Sequence, residues 1–359
     1  MITPTRVRRA ASSAALVLMM AASMAPPAGA ATVSEPVLDH LIGPLGLAVG
    51  DEGTIYVGEA FAGQLTSFDR KGRRTVLYQS DGSSVSGVDA GGKGHVVFTE
   101  TIFPEFNEDE PPETRLVRVL PNGKTSTVAS LSDYEAQVNP DANQRYGFVD
   151  LSAECLGQLP PELQPYSGIV ESNPYAVKIH RGRYLVADAA ANAILHVAAN
   201  GRVSTVAVLA PVANLVTEEA AAEFGLPPCT IGQIYYGEPV PTDVEVGPDG
   251  SYYVSILPGG PELPGNGEVR RIDPATGQVS TVASGLTSAV DLAVADDGTI
   301  YVAELFAFRI SRIVGATPEP HANAPFPSAL EIDRDGTLYA AVGAFFEQPP
   351  FGSVVRVEP

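Results

Sequence analysis

The sequence predicts an all-β protein, a six-bladed β-propeller of four-stranded antiparallel blades. Three observations indicate this fold. A hairpin motif recurs six times, the clearest copies repeat at roughly 40–45 residues, and the chain of 359 residues is rich in turn formers, with 35 Gly and 31 Pro. A repeat of that length with four strands per unit is typical of propeller blades.

Each repeat begins with a strand, a tight turn and a second strand. The alternation of apolar and polar residues fits half-buried strands, and Asp-Gly or a variant supplies the positive φ of the turn. A third strand and often a fourth follow. Residues 132–173 show no hairpin signature, so we count six blades and not seven. The six copies are GLAVGDEGTIYVGEA (46–60), GVDAGGKGHVVFTET (87–101), AVKIHRGRYLVADAA (176–190), DVEVGPDGSYYVSIL (243–257), DLAVADDGTIYVAEL (291–305) and ALEIDRDGTLYAAVG (329–343).

The last repeat supplies only three strands, and the missing fourth is found at the start of the domain. Residues 36–49 parallel residues 280–294, which places a detached fourth strand at 37–42. We expect this strand to join the last blade. The ring would then be closed without an open sheet edge.

Residues 1–30 have the pattern of a signal peptide. Basic Arg6, Arg8 and Arg9 precede an apolar run, and Ala28-Gly29-Ala30 is a small-residue cleavage site. The alternative is a membrane anchor, but a run of about 15 apolar residues is short for a span. The sequence thus predicts a secreted or extracytoplasmic domain at 31–359, with no transmembrane segment after cleavage.

Long insertions are confined to one face of the predicted disc, which we call the loop face. In a propeller blade whose strands are lettered a to d from the centre outward, the b–c loops and the links between blades share this face. The a–b and c–d turns on the opposite face are short. Insertions on one face usually indicate a binding surface. The insertions cover residues 101–114, 132–173, 210–240, 256–267 and 343–352.

The two largest insertions carry two further predictions. Residues 214–225 favour a short helix capped by Asn214 or Thr217. Cys155 and Cys229 are the only cysteines, and an even pair in an oxidising compartment indicates a disulfide. That bond would tie the two insertions together over the loop face, or would only stiffen a long loop.

The charge balance excludes one class of partner. With 42 Asp and Glu against 22 Lys and Arg, the formal net charge is -20. Such a chain repels phosphates, so we expect no nucleic-acid partner. We expect a monomer.

No catalytic residue is assigned, because the sequence has no nucleophile–base signature and no pair of histidines at metal-binding spacing. Two sets of acids remain as candidates for binding. Asp243 and Asp291 begin strand a of neighbouring blades, at the mouth of the central channel. The second set lies six residues after the turn glycines, at the end of strand b, and consists of Glu59, Glu100, Asp188 and Glu304.

Three interpretations of these acids stay open. They hold loop backbone, or Asp243, Asp291 and Glu304 bind a cation such as Ca²⁺, or clustered carboxylates share protons as an acid/base pair. Asp188 and Asn192 resemble the Asp-x-x-x-Asn segment of NHL-type repeats, which implies a loop-holding role for both.

Aromatic rings fall in or beside the b–c loops. They are candidate ligand contacts, or they pack the insertions onto the disc. We take Phe61 and Phe306 as the candidates for binding. The full set is Phe61, Phe103, Phe106, Phe306, Phe345, Phe346 and Phe351.

The repeat form, seen in DLAVADDGTIYVAE (291–304) and NPYAVKIHRGRYLVADAAANAILHV (173–197), resembles the ScyD/ScyE family of secreted proteins over essentially the whole of 31–359. The resemblance implies a six-bladed propeller and export, and it supplies no catalytic residues. The broader superfamily includes NHL repeats and metal-dependent lactonases, whose metal-ligand set is not matched here.

Three functions follow as hypotheses. The first is a secreted, non-enzymatic propeller that binds a small molecule, a glycan or a protein through the loop face. The second is a metal-dependent hydrolase or lactonase with a cation at the channel mouth. The third is a structural module of the cell envelope.

Overall fold

The computed structural model describes residues 31–50, 52–104, 110–120, 122–260, 262–344 and 351–358. The predicted signal peptide (1–30) lies outside these residues, as do Phe106, Phe345 and Phe346. Among the described residues, no helix is long and apolar enough to cross a membrane.

Six four-stranded antiparallel sheets form the blades of a six-bladed β-propeller, as predicted. Strand a of each blade packs against strand a of the next, and blade 6 packs against blade 1. Blade 1 comprises Pro44–Val49, Ile55–Glu59, Gln64–Phe68 and Arg74–Gln79. Blade 2 comprises Ser84–Gly91, His95–Ile102, Glu113–Val119 and Thr125–Ser130. Blade 3 comprises Pro174–His180, Arg183–Asp188, Ala193–Val197 and Val203–Val208.

The second half of the ring repeats the same order of strands. Blade 4 comprises Pro241–Val246, Tyr252–Ile256, Gly267–Ile272 and Val279–Leu286. Blade 5 comprises Ala289–Val294, Ile300–Glu304, Arg309–Val314 and Thr317–Asn323. Blade 6 comprises Ala329–Ile332, Leu338–Val342, Phe351–Glu358 and, from the other end of the chain, Leu38–Ile42.

The hairpin turns follow from the Asp-Gly signature. In blade 5, Gly298 has φ 86°, which an L side chain rarely adopts. Its N–H donates to the Ala295 carbonyl at 2.8 Å, and the Asp297 carboxylate accepts from the Thr299 N–H at 2.9 Å. The turn therefore satisfies its own backbone and brings strands a and b into register.

The ring closes as the sequence predicts. Leu38–Ile42 pairs antiparallel with Phe351–Glu358, and Leu41 lies opposite Gly352. Leu41 is fully buried in an apolar cluster shared by blades 6 and 1. A second strand, Thr32–Val33, pairs with the far end of Phe351–Glu358. Two residues are too few to show alternation, so the sequence did not predict this strand.

The links between blades 2 and 3 and between blades 3 and 4 form a cap on the loop face, comprising residues 131–173 and 209–240. Three helices lie in it, Leu131–Val138, Ala153–Leu156 and Glu218–Glu223. Two short strand pairs join them, Arg145–Tyr146 with Tyr166–Ser167 and Val212–Leu215 with Ile234–Gly237. Single 3-10 turns lie at Ala60–Ala62, Gly92–Gly94, Pro161–Leu163, Pro228–Thr230 and Leu305–Ala307.

The two halves of the cap form one unit. The predicted disulfide between Cys155 and Cys229 joins them. Gly147 and Tyr236 exchange backbone hydrogen bonds of 2.9 and 3.1 Å across the junction. An apolar cluster with members from both halves lies beneath, formed by Phe148, Leu159, Val216, Ala221 and Tyr235.

Within the cap, the sequence predicted one helix and missed a pair of short strands. Of the two alternative caps for the helix predicted within 214–225, Thr217 is used, and its hydroxyl accepts from the Ala220 N–H at 3.1 Å. Asn214 lies instead in a short strand. The pair of two-residue strands within 132–173 has no tight turn, so no hairpin signature revealed it.

The closing strand yields a test of the ring. Replacing buried Leu41 by Ala should lower the free energy of unfolding by about 2–5 kcal/mol, because a cavity is left between the last and first blades. Val76 is the matched control, since it lies in the fourth strand of blade 1 and is 47% exposed. Val76→Ala should change stability by less than about 0.5 kcal/mol. Urea denaturation measures both, and equal effects would contradict closure through this strand.

Candidate functional site

Strand a of every blade contributes to a narrow cavity in the centre of the ring. Its volume is about 20 Å³, which is room for about one water molecule. The two channel acids predicted from sequence line it, together with four charged side chains that were not predicted. These six side chains are Asp89, Lys178, Asp243, Glu245, Asp291 and Glu331.

Three of these carboxylates join neighbouring blades. Asp89, Asp243 and Asp291 each accept a hydrogen bond from a backbone N–H on strand a of the next blade, at 2.5, 3.2 and 2.9 Å. The bonds connect blade 2 to 3, blade 4 to 5 and blade 5 to 6. The donors are Ile179, Leu292 and Leu330.

Glycines replace the aspartates where strands approach most closely. Gly46 and Gly87 occupy, in blades 1 and 2, the register that Asp243 and Asp291 occupy in blades 4 and 5. A Cβ added to Gly46 would lie 1.9 Å from the Ser86 carbonyl oxygen. At this register side chains are thus excluded from blades 1 and 2, whereas carboxylates occupy it in blades 4 and 5.

Lys178 crosses the channel. Its Nζ lies 2.7 Å from Glu245 Oε1 in blade 4 and 3.8 Å from Glu331 Oε2 in blade 6. Burial alone would lower the pKa of Lys178, but attraction to Glu245 and Glu331 holds it well above its ordinary value. Lys178 is therefore charged and fixed between two blades.

The other channel acids have no cation of their own, because Lys178 is the one basic side chain among the residues that line the cavity. Burial raises the pKa of Asp243 to about 8, and the nearby Glu245 adds to the effect. Burial and the charge of Asp243 raise the pKa of Asp291 well above its ordinary value, and burial does the same for Glu331. Part of the channel is therefore protonated near neutral pH.

The four acids at the ends of strand b are almost fully buried at the base of the b–c loops, with exposed fractions of 0–1%. Glu59 and Glu304 share one arrangement. Glu59 accepts from the Ile42 N–H, 17 residues earlier, at 2.9 Å and from the Thr66 hydroxyl, seven residues later, at 2.6 Å. Its third partner is Arg74, at 2.6 Å.

Glu304 repeats this pattern in blade 5. It accepts from the Thr287 N–H at 2.6 Å, also 17 residues earlier, and from the hydroxyl of Ser311. Arg309 Nε lies 2.6 Å from its carboxylate. Glu100 is bound by side chains only, among them Arg115 Nε at 2.7 Å.

Asp188 and Asn192 connect blade 3 to the cap. Asp188 accepts from the Asn173 N–H at 2.7 Å. Asn192 donates to Asp141 Oδ2 at 2.9 Å, in the first half of the cap, and accepts from the Val240 N–H at 3.1 Å, in the second half. One amide side chain therefore holds both halves.

The three residues predicted to hold a cation are engaged in other contacts. Asp243 and Asp291 lie together at the channel, whereas Glu304 is bound to Thr287, Arg309 and Ser311. Within the described ranges, no three His, Cys, Asp or Glu side chains are grouped so that they could hold a metal ion.

The predicted aromatic contacts lie on the loop face and are exposed. Phe61 is 51% exposed and Phe306 is 38% exposed; they occupy equivalent 3-10 turns after strand b. Twelve large apolar side chains of the described residues are exposed, and only Val76 and Val314 lie away from this face. The other ten are Phe61, Phe103, Val138, Ile169, Val170, Leu215, Phe224, Ile231, Phe306 and Phe308.

Sequence reasoning missed Lys178 and three acids of the channel. A signal was present, because Asp89, Glu245 and Glu331 all lie five residues before their turn glycines. That register is two residues beyond Asp243, on the same side of strand a.

Comparison with known proteins supports the fold class, the six-bladed β-propeller. No protein-family model and no curated protein matches the sequence. Among solved structures, a streptogramin B lyase matches with a TM-score of 0.50 at 16% identity, covering 89% of this chain and 95% of the lyase.

Two dehydrogenase structures also resemble this chain in fold. A putative oxidoreductase (glucose dehydrogenase) from Thermus thermophilus has a TM-score of 0.54 at 16% identity, covering 90% of this chain and 99% of that chain. The PQQ-bound aldose sugar dehydrogenase from Streptomyces coelicolor has a TM-score of 0.52 at 16% identity, with coverages of 93% and 99%. At this identity the likeness is one of fold.

The raised pKa values predict how stability depends on pH. Because the pKa of Asp243 is about 8 in the folded protein and ~3.9 when unfolded, the folded state binds more protons between these values. Stability should therefore fall as pH rises from about 5 to 8. Asp243→Asn should reduce the slope by up to ~1.4 kcal/mol per pH unit.

Denaturant unfolding at pH 5, 6, 7 and 8 measures this slope. Asp81→Asn, in an exposed turn, is the matched control and should leave it unchanged. An unchanged slope in Asp243→Asn would contradict a protonated channel acid.

Proposed function

We propose that this protein binds a ligand or partner through the loop face of its propeller and that binding does not involve catalysis. The single observation that carries the proposal is the distribution of exposed apolar residues. Ten of twelve such side chains in the described residues lie on this face. A concentration of exposed apolar side chains on one face favours an interaction surface there.

The base of the loop face is fixed, which supports binding. Glu59 and Glu304 anchor the entries to the b–c loops that carry Phe61 and Phe306. The disulfide and Asn192 fix the cap. A surface ordered in advance loses little conformational entropy when it binds, so more of the contact energy appears as affinity.

The channel supports a hydrolase less well. Asp243 and Asp291 are each bonded to a backbone N–H of the next blade, and the cavity of about 20 Å³ has room for about one water. The charged side chains there connect blades to one another. This arrangement favours a structural role for the channel acids over the alternative of a metal-dependent hydrolase or lactonase.

We further propose that residues 31–359 form the mature, exported protein and that 1–30 direct export. The Cys155–Cys229 disulfide is compatible with an oxidising compartment outside the cytoplasm. The repeat form that resembles the ScyD/ScyE family supports the same location. The third hypothesis, a structural module of the envelope, would use the same loop face for its contacts.

Paired substitutions test the binding proposal. Phe61→Ser with Phe306→Ser removes two exposed rings from the loop face, one at blade 1 and one at blade 5, and each should cost about 1–2 kcal/mol of binding if it contacts the partner. The matched control is Val76→Ser with Val314→Ser, which changes two exposed apolar residues away from this face. Immobilised protein is exposed to the producing culture's extracellular proteins, glycans and small molecules.

We expect a component that the unmodified protein and the control retain and that the double Phe variant releases. Retention by all three proteins would place binding on another surface. Turnover of a lactone or ester, abolished by joint replacement of Asp243 and Asp291 by Asn, would replace the proposal with the hydrolase.

A further inference from the structure

Unpartnered buried oxygen atoms belong to one short stretch of the cap. Eight buried side-chain nitrogen or oxygen atoms of the described residues make no hydrogen bond of ordinary geometry. Four of them are nitrogens, in Arg118, His196, Asn214 and Asn266. The four oxygens all lie between residues 135 and 141, as Glu135 Oε1, Glu135 Oε2, Asn139 Oδ1 and Asp141 Oδ1.

These oxygens surround the end of the first cap helix. Leu131–Val138 ends at Asn139, whose backbone is left-handed and whose N–H donates to the Glu135 carbonyl. Glu135 and Asp141 are each 1% exposed. The C-terminal end of a helix attracts positive charge, and the last turn of this helix contains no basic residue.

Hydrogen bonds orient the free oxygens of Asp141 and Asn139. Both donors to Asp141, the Tyr146 hydroxyl at 2.8 Å and the Asn192 amide at 2.9 Å, bind Oδ2 and leave Oδ1 open. The Asn139 amide nitrogen donates to the Gly168 carbonyl at 3.2 Å, which leaves its oxygen directed elsewhere.

The space in front of Asp141 requires a glycine. A Cβ added to Gly168 would lie 1.9 Å from Asp141 Oδ1 and 2.5 Å from the Asp141 carbonyl oxygen, so any side chain at that position would displace Asp141. Gly168 has no positive φ, and its absence of a side chain is therefore explained by this contact and not by its backbone conformation.

The negative charge here has no internal counter-ion. Among the described residues, no ion pair includes Glu135, Asp141 or the nearby Asp188. Asp188 is satisfied by Ser172 and Asn173. Burial and repulsion from Asp188 and Asp141 raise the pKa of Glu135 to about 8, against the opposite effect of a hydrogen bond from the Glu171 backbone. An unpaired buried carboxylate is costly.

We propose that a Ca²⁺ ion binds at this point, held by the carboxylates of Glu135 and Asp141 and by the amide oxygen of Asn139. Ca²⁺ prefers oxygen ligands, accepts six to eight of them in flexible geometry, and commonly combines carboxylates, amide and backbone carbonyls and waters. The site combines the Glu135 carboxylate, one oxygen of Asp141 and an amide oxygen, so it differs from a cluster of three acids. It is also distinct from the channel acids.

The ion would fasten the cap to the ring. Asp141 is bonded to Asn192, the residue that joins blade 3 to both halves of the cap. A ligand that binds only the folded state raises stability in proportion to the logarithm of its concentration above Kd. Ca²⁺ should therefore stabilise the cap and, through Asn192, the surface proposed to bind a partner.

The test is a titration of the purified protein, stripped with EDTA and desalted, with CaCl₂ or MgCl₂. Thermal unfolding and metal analysis are both measured. We expect one Ca²⁺ per chain, a rise in Tm of several degrees, and a smaller effect of Mg²⁺. Glu135→Gln keeps the size of the side chain and removes its charge, and should weaken Ca²⁺ binding at least roughly tenfold.

Asp291→Asn is the matched control, because it removes a buried carboxylate from the channel and should keep the full response to Ca²⁺. Asp141→Asn, which keeps the size of the side chain and removes the second charge, is a second variant in case Glu135→Gln fails to fold. The proposal is overturned if the unmodified protein binds no Ca²⁺ at millimolar concentration. It is also overturned if Glu135→Gln or Asp141→Asn responds as the unmodified protein does, or if only Asp291→Asn loses the response.

Discussion

Hydrogen bonds from backbone N–H groups to buried carboxylates hold this propeller together. In the channel, Asp89, Asp243 and Asp291 join consecutive blades. At the loop face, Glu59 and Glu304 hold the segments that lead into their blades. Removing the carboxylate would leave a buried N–H without a partner, at a cost of about 1–3 kcal/mol.

The channel acids and the acids at the base of the loop face differ in how their negative charge is balanced. Glu59 and Glu304 each have an arginine at 2.6 Å, so each has an ion-pair partner of its own. The channel has one lysine among five acids, and the pKa of Asp243 rises to about 8 because of burial. The centre therefore has more acids than cations, whereas Glu59 and Glu304 are each paired with one arginine.

Sequence patterns predicted the structural features that recur from blade to blade and missed most of those that occur only once. The blades, the closing strand and the disulfide were confirmed. Alternation and turn glycines recur in six copies, and the two cysteines of the chain could pair only with each other. The candidate acids Glu59 and Glu304 follow the same repeat. Lys178 was missed because no other blade has a basic residue at the equivalent position of strand a. Glu135 and Asp141 were missed because the cap has no repeat, and contacts between its halves set its structure.

The location of the exposed apolar side chains follows from these constraints. Blade cores bury the apolar faces of the strands, and the turns on the opposite face are short. Charged side chains line the channel and leave a cavity of about 20 Å³, which has room for about one water. The cap and the b–c loops are the parts free to vary without disturbing the ring. Phe61 and Phe306 lie there, each directly after a carboxylate that holds the backbone in place.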